Sequence, residues 1–536
     1  MSLSLTMRVR EAFRLIAGLG RHDLRAARTF VNSAFPSAGP VAQWTQFALW
    51  AVRHTCSVIP EAVADVTFAR PVVRAPIWLD AGNPAEDANH PWRRSPTTEL
   101  PAQTDVVVIG AGFTGAACAY HWAKQNAGAM VVIEMSDPAA GASGSCEGLV
   151  VMGRYFALVR RTVRRYLEQV RPDLTPTDRD NLASQFGAAY VMSAYKNADM
   201  IEQTIRAEGY DCGYVRRGWI QAQDVADQAA LEESVRAGQA AGFDDWTTLE
   251  PAAAFALGGI RLECPAGLSR GAAHFHPARW VWCLLGTALQ SPGISLFART
   301  RVTEVMDKGD HYLVNTTRGA LRARFVINAT ESYTGQLHPQ CRGIIWPVQT
   351  QAAFAEGGLP GMQAGLGYSC SRGFFGRLAH PAGVIFGSDA TRLPNDLAGA
   401  NQPSRFLTKY VISEMHSYFG RGSLRVTHEW SATAGFTADE FPVVGLLDGK
   451  RQYLIAGMCG SGTGVSFNAA RHVVGQILGF DPLAPPCEDR GLPKTGDSRG
   501  TDDYPAQYFA PTRLLDPARH PWPPALSGRG SDANAG

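Results

Sequence analysis

The sequence predicts a mixed α/β fold, and three features around residue 110 carry that prediction. Val106-Val107-Val108-Ile109 is a short, wholly apolar β-branched run, as expected of a parallel strand buried on both faces. The turn Gly110-Ala111-Gly112-Phe113-Thr114-Gly115 follows it and opens a helical stretch from Thr114 to about Asn126. A second apolar run, Met130-Val131-Val132-Ile133, ends at Glu134. Strand, glycine turn, helix and strand in this order make one βαβ unit.

Each part of that unit suits a dinucleotide. The first glycine makes the tight turn, the second lets the backbone approach a pyrophosphate, and the third lets the helix pack closely on the sheet. The helix N-terminus then offers unpaired N–H groups and a positive dipole end to the phosphates. Glu134 stands at the end of the second strand, where a carboxylate accepts both hydroxyls of an adenosine ribose and repels the extra phosphate of NADP. The unit is therefore Rossmann-like. After Glu134 comes the small-residue loop Ser136-Asp137-Pro138-Ala139-Ala140-Gly141-Ala142-Ser143-Gly144-Ser145. Such a loop runs beside the pyrophosphate and ribityl chain of FAD; a simple NAD dehydrogenase has no need of it.

The rest of the chain bounds the function. With 536 residues it can bury more than one core, and 45% apolar and 18% charged residues describe an ordinary globular protein. A net charge of +2 gives no electrostatic footprint for nucleic acid. The ten cysteines form no CxxC pair and no Cys/His cluster with zinc spacing, so reduced, mostly buried thiols and no metal are expected. No apolar run reaches eighteen residues, and a cytoplasmic location is the expectation. The Arg-rich, acid-poor start carries Val9, Phe13, Ile16 and Leu24 at loosely helical spacing. A helix docked on the body or a frayed terminus is expected there, with peripheral contact to a membrane surface as the alternative.

Further elements follow from pattern. Residues 1–100 read as an N-terminal extension and linker, with a short apolar helix over Trp44–Val52 and a proline-rich connector. Tyr155–Val170 is amphipathic, with Phe156, Val159, Val163, Tyr166 and Val170 on one face. Arg160, Arg161, Arg164 and Arg165 lie opposite, as a solvated face or a dock for an anionic group. Gly293–Asn328 alternates like paired strands with a turn at Arg318-Gly319. Tyr453–Gly457 is a strand running into a glycine-rich loop and a helix from about Val465 to Leu478. Residues 481–536 are expected to be an irregular or disordered tail.

Taken together, DVVVIGAGFTGAACAYHWA, VVIEMSDPAAGASGS, HFHPARWVWCLLGTAL, NATESYT, TADEFPVVG and IAGMCGSGTGVSFNAARHVVGQIL resemble the D-amino-acid oxidase-like superfamily of FAD oxidoreductases over about residues 100–480. That superfamily includes glycine and sarcosine oxidases, D-amino-acid dehydrogenases and γ-glutamylputrescine oxidases. The resemblance implies a discontinuous Rossmann-like FAD-binding domain (101–160, 265–340 and 428–480). It also implies an inserted α+β substrate domain (161–264 and 341–427) carrying a large antiparallel sheet. Carried over, Gly110, Ala111, Gly112, Phe113, Thr114 and Gly115 hold the pyrophosphate and Glu134 the ribose. Ser143 and Gly144 line the ribityl path, the Val302 backbone meets the adenine, and Thr330 falls near the pyrophosphate. Gly460, Ser461, Gly462, Thr463 and Gly464 form a second loop whose N–H groups face the flavin pyrimidine and stabilise negative charge on the reduced ring.

The departures from the family pattern concern the substrate. Many relatives continue the small-residue loop with Arg-Asn-Gly-Gly, whereas this chain has Ser145-Cys146-Glu147-Gly148, which makes Glu147 a candidate contact for a substrate ammonium. Glycine oxidase-like members carry a carboxylate-binding arginine where Trp430–Asp439 has none. Arg372 or Arg377 is a candidate replacement, or the substrate is an amine with no nearby carboxylate. His276, Tyr368 and Arg372 are the expected lining of the substrate cavity. Cys370 is spaced too far from the Val384–Gly387 strand to match the cysteine that holds FAD in some relatives, so non-covalent FAD is expected.

The implied function is oxidation of a C–N bond in an amine or amino acid. The α-carbon gives a hydride to flavin N5, the imine is hydrolysed, and electrons pass to oxygen, a quinone or another protein. Alternatives are an FAD-dependent dehydrogenase of a 2-hydroxy acid or polyol phosphate, or a non-catalytic flavoprotein subunit of an electron-transfer assembly.

Overall fold

The fold is taken from a computed structural model, in which the described residues are 39–53, 66–80, 99–150, 156–222, 228–240, 242–370, 373–400, 402–479 and 504–524, with a few single residues between. Two sheets organise them. The first contains the predicted βαβ unit. Gln103–Ile109 runs parallel to Met130–Ile133 on one side and to Gly319–Asn328 on the other, and Ile294–Phe297 extends the parallel set. Val106, Val107 and Val108 are fully buried, as their β-branched character requires of a central strand. The predicted hairpin is present as Tyr312–Thr316 against Gly319–Asn328. Gln452–Ala456 adds a further parallel strand beside Gly319–Asn328. Helices Phe113–Lys124, Pro277–Ala288 and Gly462–Ile477 share one core on this sheet.

The second sheet has nine strands and is mostly antiparallel. Its order is Val66–Val73, Ser423–Thr437, Ile345–Gly358, Gly383–Arg392, Gly373–Leu378, Gly367–Cys370, Trp219–Gln221, Ala266–Ser269 and Trp246–Leu249. Strand alternation gives it two distinct faces. Trp219, Ala352, Phe354, Leu378 and Ile385 enter the core shared with the first sheet's helices. Ile220, Ala353, Tyr368, Phe375 and Phe386 face the other way, against Val411, Ile412, Met415 and Phe419 of helix Arg405–Phe419.

Three segments depart from the expected organisation. Ala266–Ser269 and Ser423–Thr437, placed wholly or partly in the FAD-binding portion from sequence, are strands of the nine-stranded sheet. The N-terminal extension supplies a strand, Val66–Val73, which lies parallel to Ser423–Thr437 and caps the sheet edge. It also supplies the expected apolar helix, which spans Pro40–Arg53. On helix Phe156–Val170, Arg160 pairs with Glu233 and Arg164 lies 3.2 Å from Asp180, so these two basic groups have internal partners.

The tail is the third departure. Residues 504–524 are irregular apart from two single turns of helix, yet they are anchored in the body. Arg513 is fully buried and grips Asp439 with two hydrogen bonds of 2.7 and 3.0 Å, and it donates also to the carbonyls of Phe509 and Phe441. Tyr504 stacks on His472 of the last long helix. Composition suggested an irregular or disordered tail because prolines and glycines abolish periodicity; this part is irregular but held, with the buried guanidinium making four hydrogen bonds. Arg513→Met strands the Asp439 carboxylate in the interior. It is expected to lower the unfolding free energy by about 3–5 kcal/mol, read as a lower denaturation midpoint, with partial recovery on adding Asp439→Asn.

Candidate active site

The glycine turn is built for close approach. Gly110 has φ of +108°, and a Cβ there would stand 2.4 Å from the Ala329 carbonyl oxygen. A Cβ on Gly115 would fall 1.8 Å from the Gly110 carbonyl oxygen, so only glycine lets the helix begin this near the strand. The following helix starts at Phe113 with no side-chain cap from Gly112, which leaves its N-terminus available to an anion. Ser143 Oγ accepts the Phe113 N–H at 2.9 Å and touches the space a Cβ on Gly112 would fill. The small-residue loop is thereby pinned beside the turn, with Gly144 held by its N–H to the Ala139 carbonyl at 2.9 Å.

Glu134 lies beside the same turn. Its Oε2 accepts the Ala111 N–H and its Oε1 the Ser136 N–H, both at 2.8 Å. Burial raises its pKa and the two amides oppose that rise. Each carboxylate oxygen keeps a lone pair for a ribose hydroxyl. The Thr300 N–H reaches the Glu134 carbonyl at 2.8 Å, which brings the Val302–Asp307 strand alongside. Ala329 and Thr330 close the opposite side, where the Thr330 and Thr334 hydroxyls share a 2.9 Å hydrogen bond. Glycines that a Cβ would obstruct, a helix start whose cap residue carries no side chain, and a carboxylate at the end of the second strand together fit the adenosine diphosphate half of FAD.

The second loop, at the start of helix Gly462–Ile477, comes within reach of the first: a Cβ on Gly462 would stand 3.6 Å from Phe113 Cδ2. Thr463 Oγ1 donates to the Leu149 carbonyl at 2.6 Å, and Asn197 Nδ2 donates to the Thr463 carbonyl at 2.8 Å. A residue that sequence reasoning missed holds this loop. Glu331, at φ of +45°, accepts the N–H groups of Gly435 at 2.8 Å and Met458 at 3.2 Å. Burial pushes its pKa up to about 7, against the opposing pull of those amides. Its only sequence signal was a carboxylate directly after an apolar strand.

Between the sheets lies the segment from Ser145 to Val150. Trp430 Nε1 donates to the Ser145 carbonyl and Trp78 Nε1 to the Cys146 carbonyl, both at 2.7 Å. Glu147 then projects against the nine-stranded sheet, its Oε1 only 1.8 Å from where a Cβ on Gly387 would be. Burial pushes its pKa up to about 7. Leu149–Val150 pairs with Ala273–His274, and His274 is buried with its Nε2 against Gly376. Among the described residues neither ring nitrogen of His274 has a hydrogen-bond partner, and burial lowers its pKa to about 4.

The expected cavity lining is thus revised. His276 is the N-cap of helix Pro277–Ala288: its Nδ1 accepts the Arg279 N–H at 3.2 Å, and its ring packs 4.9 Å from Trp78. It is His274, two residues earlier, that faces the nine-stranded sheet. Tyr368 points to the far face, stacked on Phe375, with its hydroxyl donating to the Gly258 carbonyl at 2.7 Å. Arg377 shares the parity of Phe375 and donates to the Met362 carbonyl at 2.9 Å. Cys370 is on that same far face, its thiol 3.2 Å from Glu414. Arg372 lies outside the described residues.

With this geometry in place, comparison with known proteins is informative. The pattern of the DAO family, FAD dependent oxidoreductase, matches residues 105–476. The chain belongs to the DAO family of FAD-dependent oxidoreductases. It is 23% identical over 406 residues to the γ-glutamylputrescine oxidoreductase of Escherichia coli, covering 71% of this chain and 86% of that one. Its fold is similar to L-proline dehydrogenase from P. horikoshii, with a TM-score of 0.60 at 16% identity over 77% of this chain and 98% of that one. It is likewise similar to an L-amino acid deaminase from Proteus vulgaris lacking its specific insertion, with a TM-score of 0.56 at 17% identity, over 76% and 97% of the two chains. The cofactor of this DAO-family enzyme is FAD.

Gly110→Ala must shift the Ala329 carbonyl or the turn. It is expected to leave the purified protein largely without flavin, measured as flavin absorbance per chain. Gly343→Ala, where a Cβ meets nothing within 4 Å, serves as the control.

Proposed function

We propose that this enzyme oxidises a C–N bond of an amine or amino acid, with Glu147 as the side chain that meets the substrate nitrogen. The observation that carries this reading is the buried Glu147 carboxylate set against the bare backbone of Gly387, between the two sheets. A carboxylate in such a place suits a cationic ammonium and disfavours an anionic group. The name of the γ-glutamylputrescine oxidoreductase agrees in class, since γ-glutamylputrescine is a nitrogen compound; among structures of similar fold, proline and amino-acid enzymes stand beside an L-α-glycerophosphate oxidase.

Bound in the cradle of Gly110–Gly115, Glu134 and the 460–464 loop, FAD supplies the two-electron acceptor for a C–H hydride. The chain's own part is to bind, orient and handle protons. Glu147 in its ionised form attracts the ammonium and takes one proton, so that the nitrogen lone pair is free to form the C=N bond as the α-carbon loses hydride. The N–H groups at the start of helix Gly462–Ile477 would stabilise negative charge on a flavin held there. The imine, released to water, is hydrolysed to a carbonyl compound and ammonia or an amine. FAD is held without a covalent bond, in keeping with Cys370 facing away from the first sheet.

Two outcomes test this. An ionised Glu147 is required, and its pKa is raised to about 7, so kcat/KM for an amine is expected to climb with pH through about 7. Glu147→Gln removes that limb and lowers kcat/KM by about 10²-fold with FAD still bound; a variant with the wild-type profile sinks the role. Acid precipitation should release all the flavin into the supernatant, from the wild type and from Cys370→Ser alike.

A further inference from the structure

On the face of the nine-stranded sheet turned toward the first sheet, Trp219, Gly367 and Gly376 are register partners on three adjacent strands. Glycine strips the sheet to its backbone here. A Cβ on Gly367 would stand 2.7 Å from Leu149 Cδ2, and one on Gly376 2.3 Å from His274 Nε2. Four polar atoms on this patch have no hydrogen-bond partner among the described residues: Trp219 Nε1, Ser369 Oγ and both ring nitrogens of His274. The three residues are 3%, 2% and 3% exposed, so bulk water does not serve these atoms. Interiors leave few polar groups unpaired, and several on one patch are what a polar ligand resolves.

Their chemistry restricts that ligand. The indole N–H only donates, the serine hydroxyl donates or accepts, and a neutral imidazole offers one of each. The ligand must therefore supply at least one acceptor. None of the nearest neighbours of Gly367, Gly376 or Gly387 is a lysine or arginine. A carboxylate set against these described neighbours would gain no counter-charge from them, and burying it so is far costlier than burying an uncharged acceptor. Glu147 also stands close by: Gly376 pairs with Ile385, and Gly387 is two residues further along that strand. Such diagonal neighbours are about 7–8 Å apart, the span of a short aliphatic chain.

We propose that this patch binds the remote end of the amine substrate, and that this end is an uncharged hydrogen-bonding group such as an amide, not a carboxylate. The inference rests on the reading of Glu147 as the partner of the substrate nitrogen. An amine held by Glu147 at one end and by Trp219, Ser369 and His274 at the other is fixed at two points, which orients the α-carbon between them.

The test is anaerobic reduction of the FAD-loaded full chain by three probes of comparable length: mono-N-acetylated 1,4-diaminobutane, n-hexylamine and 6-aminohexanoate. The acetylated diamine is expected to reduce the flavin with a half-saturation at least about tenfold below those of the other two, one well-placed buried hydrogen bond being worth a factor of that order. Trp219→Phe is expected to bring the preference for the amide over hexylamine close to unity. Should that variant lose FAD, Ser369→Ala, a smaller change, carries the same comparison. Equal reduction by all amines, preference for 6-aminohexanoate, or loss of FAD affinity with the amide preference intact would each overturn the proposal. Reduction by none of the three while a 2-hydroxy acid reduces the flavin overturns the amine reading itself, and this inference with it.

Discussion

The junction of the two sheets depends on one buried carboxylate. Glu331 leaves the end of the Gly319–Asn328 strand, accepts the Gly435 amide from the longest strand of the other sheet, and accepts the Met458 amide from the second glycine loop. Three segments far apart in sequence are thus indexed on a single pair of oxygens. Burying an acid is unfavourable unless donors meet it, and here backbone N–H groups are the donors, so the acid and the loop conformation require each other. The strained φ of Glu331 is consistent with that requirement: the carboxylate position is held at the expense of backbone preference.

Around this junction, segments outside the family's common core act as supports. Trp78, in the N-terminal extension, is buried and holds the Cys146 carbonyl, while Leu79 packs near Gly144. From the other end of the chain, Arg513 fixes Asp439, whose Oδ1 also accepts the Thr437 hydroxyl at 3.0 Å. Thr437 in turn touches Cys459 and lies where a Cβ on Gly457 would fall. The two ends of the chain therefore brace the two loops that flank the cofactor position, one loop each. Rigid surroundings of this kind suit the proposed oxidation, in which a C–H bond must be aligned, because small displacements of reacting atoms are costly in rate.

The nine-stranded sheet contributes by what it lacks. Gly367, Gly376 and Gly387 present backbone where ordinary residues would present side chains, and the groups set against that backbone come from the 147–149 segment and from His274. Alternation then sends Tyr368, Cys370 and Phe375 into the opposite core with helix Arg405–Phe419. One face is a packed apolar layer; the other holds unpaired polar atoms and a carboxylate. That difference between faces is the basis for placing the chemistry on the side toward the first sheet.

Much of this was legible from the sequence wherever the signal is local. The βαβ unit, the position of Glu134 at the end of its second strand, the Arg318-Gly319 hairpin and the last long helix follow from periodicity, from glycine positions and from runs of apolar residues, all of which act over a few residues. What tertiary structure decided were questions of side and partner. His274 and His276 are two residues apart, yet one faces the other sheet and the other caps a helix, because the strand ends at His274 and the helix begins at Pro277. Tyr368 was a reasonable polar candidate, but a one-residue change of strand parity separates the site from the core, and parity is fixed only by register with neighbouring strands. Glu331 and Arg513 found their partners 104 and 74 residues away, across distances at which no sequence pattern operates. The sequence by itself determined the cofactor and the nucleotide unit that receives it; the packing of the two sheets decided which side chains face one another across their junction, because register and parity are set only between strands.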